Sequence, residues 1–138
     1  DNGADYIMTQ LCWDMDQFRY WLDAIRAAGI WLPVDVGIMP ITTISGTLTN
    51  ALSRNACVMD RRLCEIISKY WLFPNPYAPE DAMEEQKKAD FRKAGLDYTI
   101  ELIDEYRACG IDGIHLYALN KYEDVAYIVK ESGIVDLI

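Results

Sequence analysis

Three polar pairs stand where apolar runs end: Thr9-Gln10 after ADYIM, Thr42-Thr43 after VDVGIMPI, and Asn120-Lys121 after GIHLYAL. Each pair carries side chains that donate or accept hydrogen bonds, and together they could hold a polar ligand. Asn120 and Thr42 also read as helix caps, a role that can coexist with ligand binding. Carboxylates near the same run ends (Asp5, Asp14 and Glu123) show no spacing that pairs two of them for acid–base work. His115 lies inside the third run, one residue off the face of Leu116, and reads as an interior or interface histidine. The four cysteines, Cys12, Cys57, Cys64 and Cys109, are widely spaced, with no CxxC, no histidine pair and no HExxH, so zinc chemistry has no support. With no secretory signal in view, they read as buried free thiols in a reducing cytoplasm.

The elements that must position these groups follow from periodicity. Ala4 to Leu11 is a short apolar run of strand formers. Asp14 then offers an N-cap carboxylate with Gln17 three residues on. Phe18, Trp21, Leu22 and Ile25 recur at helical spacing, and Gly29 falls where a left-handed cap belongs. Val34 to Pro40 predicts a second buried strand, in which Gly37 marks a close backbone approach or a bulge. Helical sequence opens between Thr42 and Asn50, and Leu63, Ile66, Ile67, Tyr70 and Trp71 form an apolar stripe. The prolines of Phe73 to Pro79 stop that helix.

A further helix is predicted from about Asp81 to Ala108, with Tyr98, Leu102, Ile103, Tyr106 and Cys109 on one face and Gly110 as its cap. Gly113 to Leu119 is the third strand. Asn120 and Glu123 then read as the capping pair of a last helix, with Val125, Ile128 and Val129 inward and Gly133 closing it. The expected order is β-α-β-α-α-β-α. Near-continuous apolar strands, each followed by a helix, predict an α/β fold with parallel strands under helices. Ligand sites in such folds lie at the carboxyl ends of the strands, where the polar pairs stand.

The chain has 138 residues, half of them hydrophobic (51%), and a formal net charge of −9. That length suits one domain with a core, residues 1–138, and the composition excludes intrinsic disorder. No apolar run approaches the ~18–20 residues of a membrane span. The acidic balance, with only short basic clusters such as Arg61-Arg62 and Lys87-Lys88, argues against nucleic acid or anionic lipid as a partner.

Taken in order, ADYIMTQL (Ala4–Leu11), GIMPI (Gly37–Ile41), FRKAGLDYTIELIDEYRACGIDG (Phe91–Gly113) and GIHLYALNK (Gly113–Lys121) resemble the methylenetetrahydrofolate reductase family. The likeness covers nearly the whole chain and is weakest between Thr47 and Glu85. It implies a flavin-containing (βα)8 TIM barrel that reduces 5,10-methylenetetrahydrofolate to 5-methyltetrahydrofolate with NAD(P)H. The three strands here would be the last three of that barrel. By the same likeness, Gln10 hydrogen-bonds the folate pterin, Tyr117, Leu119 and Lys121 help to hold folate, and Met8 packs against the ring of FAD. Lys121 stands where the family has arginine, which keeps the charge for the folate glutamate tail but loses bidentate geometry. Ile44 falls near the position of a substrate-stacking aromatic, so the ring contact is absent.

The resemblance supplies no catalytic residue in this chain, because the family's catalytic glutamate, flavin-tuning aspartate and most flavin phosphate contacts lie on strands outside it. A closed barrel of this type takes ~250 residues. The expectation is therefore a partial barrel: the folate-side wall of a reductase, inactive alone. Its open edges would be covered by the rest of the barrel, by a second chain, or by self-association into a homo-oligomer. The competing expectations are a non-catalytic assembly module and a different enzyme on the same scaffold.

Overall fold

The computed structural model describes residues 3–53, 57–71 and 82–134. Its elements are β1 (Ile7–Met8), α1 (Met15–Ala27), β2 (Val34–Ile38), α2 (Ile44–Leu52), α3 (Arg61–Tyr70), α4 (Ala82–Ala108), β3 (Gly113–Leu116) and α5 (Tyr122–Glu131). The strands form one parallel sheet in the order β1-β2-β3. Ile7 pairs with Val34 and Met8 with Asp35, while Asp35, Val36, Gly37 and Ile38 pair with Gly113, Ile114, His115 and Leu116.

Alternation along the strands gives the sheet two different faces. Val34, Val36 and Ile38 are buried among helix side chains such as Phe18, Leu63, Leu102 and Ile103, with Ile7, Ile114 and Leu116 packed beside them. The other face carries Met8, Asp35, Gly37, Gly113 and His115. His115 thus lies on the face opposite Leu116, as its position in the run predicts.

The long helix α4 is the main wall of the core. Tyr98, Leu102, Ile103 and Tyr106 all lie on its buried side. The Tyr106 hydroxyl donates to the Cys12 carbonyl at 2.5 Å and the Tyr98 hydroxyl to the Trp13 carbonyl at 3.3 Å. Two phenols therefore pin the segment between β1 and α1. Burial pushes both above the ordinary tyrosine pKa, so they remain donors across the accessible pH range.

Helix α1 starts as the sequence predicts. The Asp14 carboxylate accepts from the N–H groups of Asp16 and Gln17, at 3.0 and 3.1 Å. Gly29 follows the helix with a φ of +79°, a backbone state that favours glycine. Asp14→Ala should cost about 1 kcal/mol, read as a lower urea midpoint at an unchanged slope. An unshifted midpoint would show that the cap contributes nothing.

Several expectations are corrected. Three helices, not two, separate β2 from β3, because the stretch after Thr42 folds as α2 and α3. The strand expected over Ala4–Leu11 pairs only at Ile7–Met8. Its ladder ends one bond later, at Thr9 N–H to the Asp35 carbonyl, and the Gln10 side chain then takes the Leu11 N–H. The third strand is likewise shorter than Gly113–Leu119, since Leu119 and Asn120 turn the chain with positive φ values of 44° and 63°.

That turn also overturns the capping assignment for Asn120, since an N-cap needs extended backbone. Lys121 occupies the cap of α5, with no side-chain cap bond. At α2 the cap is Thr43, whose hydroxyl accepts from Gly46 N–H at 3.2 Å, rather than Thr42. Of the four thiols only Cys57 is buried; Cys12 and Cys109 are half-buried and Cys64 is exposed. The stop assigned to Phe73–Pro79 lies outside the described residues.

Candidate functional site

The loop that follows β2 carries the middle polar pair, and α4 holds it from behind. Thr99 Oγ1 accepts from Ile41 N–H at 3.2 Å and donates to the Gly95 carbonyl at 2.7 Å. Gly95 makes this approach sterically possible: a Cβ there would lie 2.2 Å from the Ile41 carbonyl oxygen. The loop is thereby fixed to a helix in mid-span.

At the sheet itself the three strand ends converge on Gly37. Its N–H donates to Thr9 Oγ1 at 3.2 Å, and a Cβ there would meet the Thr9 carbonyl at 2.8 Å and the Tyr117 ring at 3.0 Å. The close approach predicted for this glycine is therefore real, and its beneficiary is the Tyr117 ring. His115 meets that ring edge-on, with centroids 4.6 Å apart. Lys121 Nζ donates to Thr42 Oγ1 at 3.1 Å, tying the end of the β3 segment to the loop after β2.

These contacts frame a cavity of about 340 Å³ whose walls include Trp13, Met39, Thr42, Tyr117, Leu119 and Lys121. The Thr43-capped start of α2 lies on the same wall. Apolar surface, hydroxyls and one ammonium group in a concave site suit a flat, partly polar ligand with an anionic appendage. The positive end of the α2 dipole adds to the charge of Lys121 there.

Of the residues singled out in the sequence, Tyr117, Leu119 and Lys121 come together in this cavity. Ile44 does not join them. It opens α2 and lines a neighbouring cavity of about 420 Å³ with Leu48, Tyr70, Trp71 and Phe91. Gln10 is exposed just beyond β1, its Oε1 accepting from Leu11 N–H at 2.9 Å. Its NH2 group has no acceptor among the described residues. Met8 is half-exposed on the sheet face that bears no helices.

Sequence reasoning did not select Gly95, Thr99 or Trp13 as parts of this site. A glycine in the middle of a helical pattern was the available signal for the first. Among the described residues no group of His, Cys, Asp or Glu side chains could hold a metal ion. No helix among them is long and apolar enough to cross a membrane.

A parallel sheet under helices, with a mixed polar and apolar cavity beyond the carboxyl ends of its strands, defines an α/β protein of the barrel or open-sheet class, whose ligands bind at that end. The particular family follows from comparison: the chain belongs to the methylenetetrahydrofolate reductase family, a family of TIM barrels, whose model matches residues 1–133. It is 29% identical over 136 residues to methylenetetrahydrofolate reductase 1 of Schizosaccharomyces pombe, covering 99% of this chain. It is 30% identical over 138 residues to methylenetetrahydrofolate reductase (NADH) 1 of Arabidopsis thaliana, again over 99% of this chain. A shorter match, 47% identical over 51 residues, joins it to methylenetetrahydrofolate reductase 2 of Saccharomyces cerevisiae and covers 37% of this chain and 8% of that one. The chain spans about a fifth (20%) of the length of the first and second of these relatives.

Proposed function

We propose that residues 1–138 form the folate-side wall of a flavin-dependent reductase that converts 5,10-methylenetetrahydrofolate to 5-methyltetrahydrofolate with NAD(P)H. The convergence of Tyr117, Leu119 and Lys121 on one cavity beyond the strand ends carries this reading. Tyr117 and Leu119 supply apolar walls for the substrate, and Lys121 meets its anionic glutamate tail. The exposed Gln10 amide reads the pterin edge, since an amide both donates and accepts without adding charge. Ile44, at the head of α2, lines the neighbouring cavity and so takes no part in the substrate contacts of this reading.

Met8 fits an apolar contact to FAD, because its side chain is half-exposed on the helix-free face. The bound flavin would supply hydride transfer between nicotinamide and folate. This chain carries no carboxylate assigned to the chemistry, and it is inactive until further strands close the sheet into a barrel. Names of plant relatives that specify NADH favour NADH as the donor. A cytoplasmic setting suits the four free cysteines.

The test is Gln10→Ala and Lys121→Ala in the complete reductase, with folate affinity measured by titration. Each should weaken binding about tenfold, the equivalent of one lost hydrogen bond to a charged or tightly held group. Unchanged affinity in both variants would reject the folate assignment.

A second reading, a non-catalytic half-barrel that assembles with another copy, draws on the uncovered sheet face and on the outer edges of β1 and β3, which pair with no strand among the described residues. A stable monodisperse dimer in sedimentation equilibrium would favour it.

A further inference from the structure

Both outer strands leave the sheet beside Gly37. On one side the β1 ladder ends where Thr9 N–H donates to the Asp35 carbonyl at 2.9 Å. On the other, Tyr117 N–H donates to the Ile38 carbonyl at 2.9 Å, one residue beyond β3. Strand alternation then sets Tyr117 on the same face as His115 and Gly37. Two site residues stand at these departure points: Gln10 directly after Thr9, and Tyr117 itself.

Gly37 is buried between them. Its N–H donates to Thr9 Oγ1 at 3.2 Å. A Cβ there would lie 2.8 Å from the Thr9 carbonyl oxygen, 3.0 Å from Tyr117 Cε2 and 3.4 Å from the Tyr117 hydroxyl oxygen. The His115 ring meets Tyr117 edge-on, with centroids 4.6 Å apart. The phenol is therefore held between bare backbone and an imidazole. A methyl at position 37 has no rotamer with which to avoid these neighbours, so the backbone of Thr9, the ring of Tyr117, or both must move.

We propose that Gly37 is a positioning residue for folate binding: by lacking a Cβ it seats the Tyr117 ring in the cavity wall, and through Thr9 it fixes how far Gln10 stands from that ring. The inference rests on the folate reading and deepens it. A ligand held by an amide at one edge and an apolar wall elsewhere is sensitive to the spacing of the two. A displacement of about an ångström is enough to break a hydrogen bond or open a contact.

The test is titration of 5-methyltetrahydrofolate into the complete reductase and its Gly37→Ala, Thr9→Val and Thr9→Ser forms, each with a urea midpoint. Gly37→Ala should weaken binding at least about tenfold and Thr9→Val about threefold. Thr9→Ser keeps the hydroxyl and should bind like the parent. Parental affinity in Gly37→Ala or Thr9→Val, even with a lowered midpoint, overturns the proposal, because these positions would then serve stability alone. A Ser form as weak as the Val form overturns it as well. Should Gly37→Ala not fold, the Thr9 pair decides by the same criteria. Gln10→Ala and Lys121→Ala separate the two readings. If they weaken binding while the Gly37 and Thr9 changes do not, only the positioning role fails. If none of the variants weakens it, the folate reading fails and the positioning role with it.

Discussion

Tyr106→Ala is expected to destabilise the protein by about 4 kcal/mol, the largest effect of any single change considered. The side chain is fully buried, and its ring meets Phe18 edge-on with centroids 4.7 Å apart. Truncation removes that contact and leaves a cavity between α4 and α1. It also orphans the Cys12 carbonyl, which accepts the Tyr106 hydroxyl at 2.5 Å. Tyr106→Phe separates the two terms: it keeps the ring and loses only the hydrogen bond, and should cost about 1–1.5 kcal/mol. Urea unfolding of both variants measures the difference. Equal losses would mean that the hydroxyl, not the packing, carries the site.

The second large effect runs against helix propensity. Alanine is a better helix former than glycine by about 1 kcal/mol, so Gly95→Ala in an isolated α4 would stabilise it. Here the new methyl would sit 2.2 Å from the Ile41 carbonyl oxygen and 2.8 Å from its Cγ2. The backbone oxygen cannot swing aside, so the helix or the loop must shift by about an ångström to reach ordinary contact. Such overpacking costs about 3 kcal/mol. The net expectation is a loss of about 2 kcal/mol, accompanied by strain on the bond from Ile41 N–H to Thr99. Since that loop carries Thr42 and Thr43 into the cavity, ligand affinity should fall with stability. A variant with a raised urea midpoint would show that the helix and loop have room to spare.

Much of the fold was legible because local signals and long-range packing agree. Asp14 caps α1 where its position before Phe18 and Leu22 requires, and Gly29, Gly110 and Gly133 all have positive φ at helix ends. The apolar stripe of Tyr98, Leu102, Ile103 and Tyr106 faces the core as helical periodicity dictates. Asn120 failed for a specific reason. The same residue type serves as an N-cap and as a left-handed turn residue, and which it adopts depends on where β3 stops pairing. The thiols failed similarly: a cysteine's type favours burial, but Cys64 sits on the outward side of α3 and is exposed.

The site was only partly legible. Lys121 and Thr42 are 79 positions apart, and nothing in either segment specifies that the ammonium of one reaches the hydroxyl of the other. Their meeting depends on β2 and β3 lying side by side in one register, with Tyr117 laid across Gly37. Ile44 shows the converse, since the first turn of α2 points it into a neighbouring cavity, which depends on how α2 packs against α3 and α4.

By itself, the sequence determined the parallel α/β class, the helix caps, the buried stripe of α4 and the family likeness, because periodicity, capping and motif order are local properties of the chain. Only the tertiary structure decided which strand-end groups share a cavity, why Gly95 must lack a side chain, and that the Tyr117 ring lies against Gly37. Each of those depends on two segments distant along the chain approaching within a few ångströms, and packing alone sets that approach.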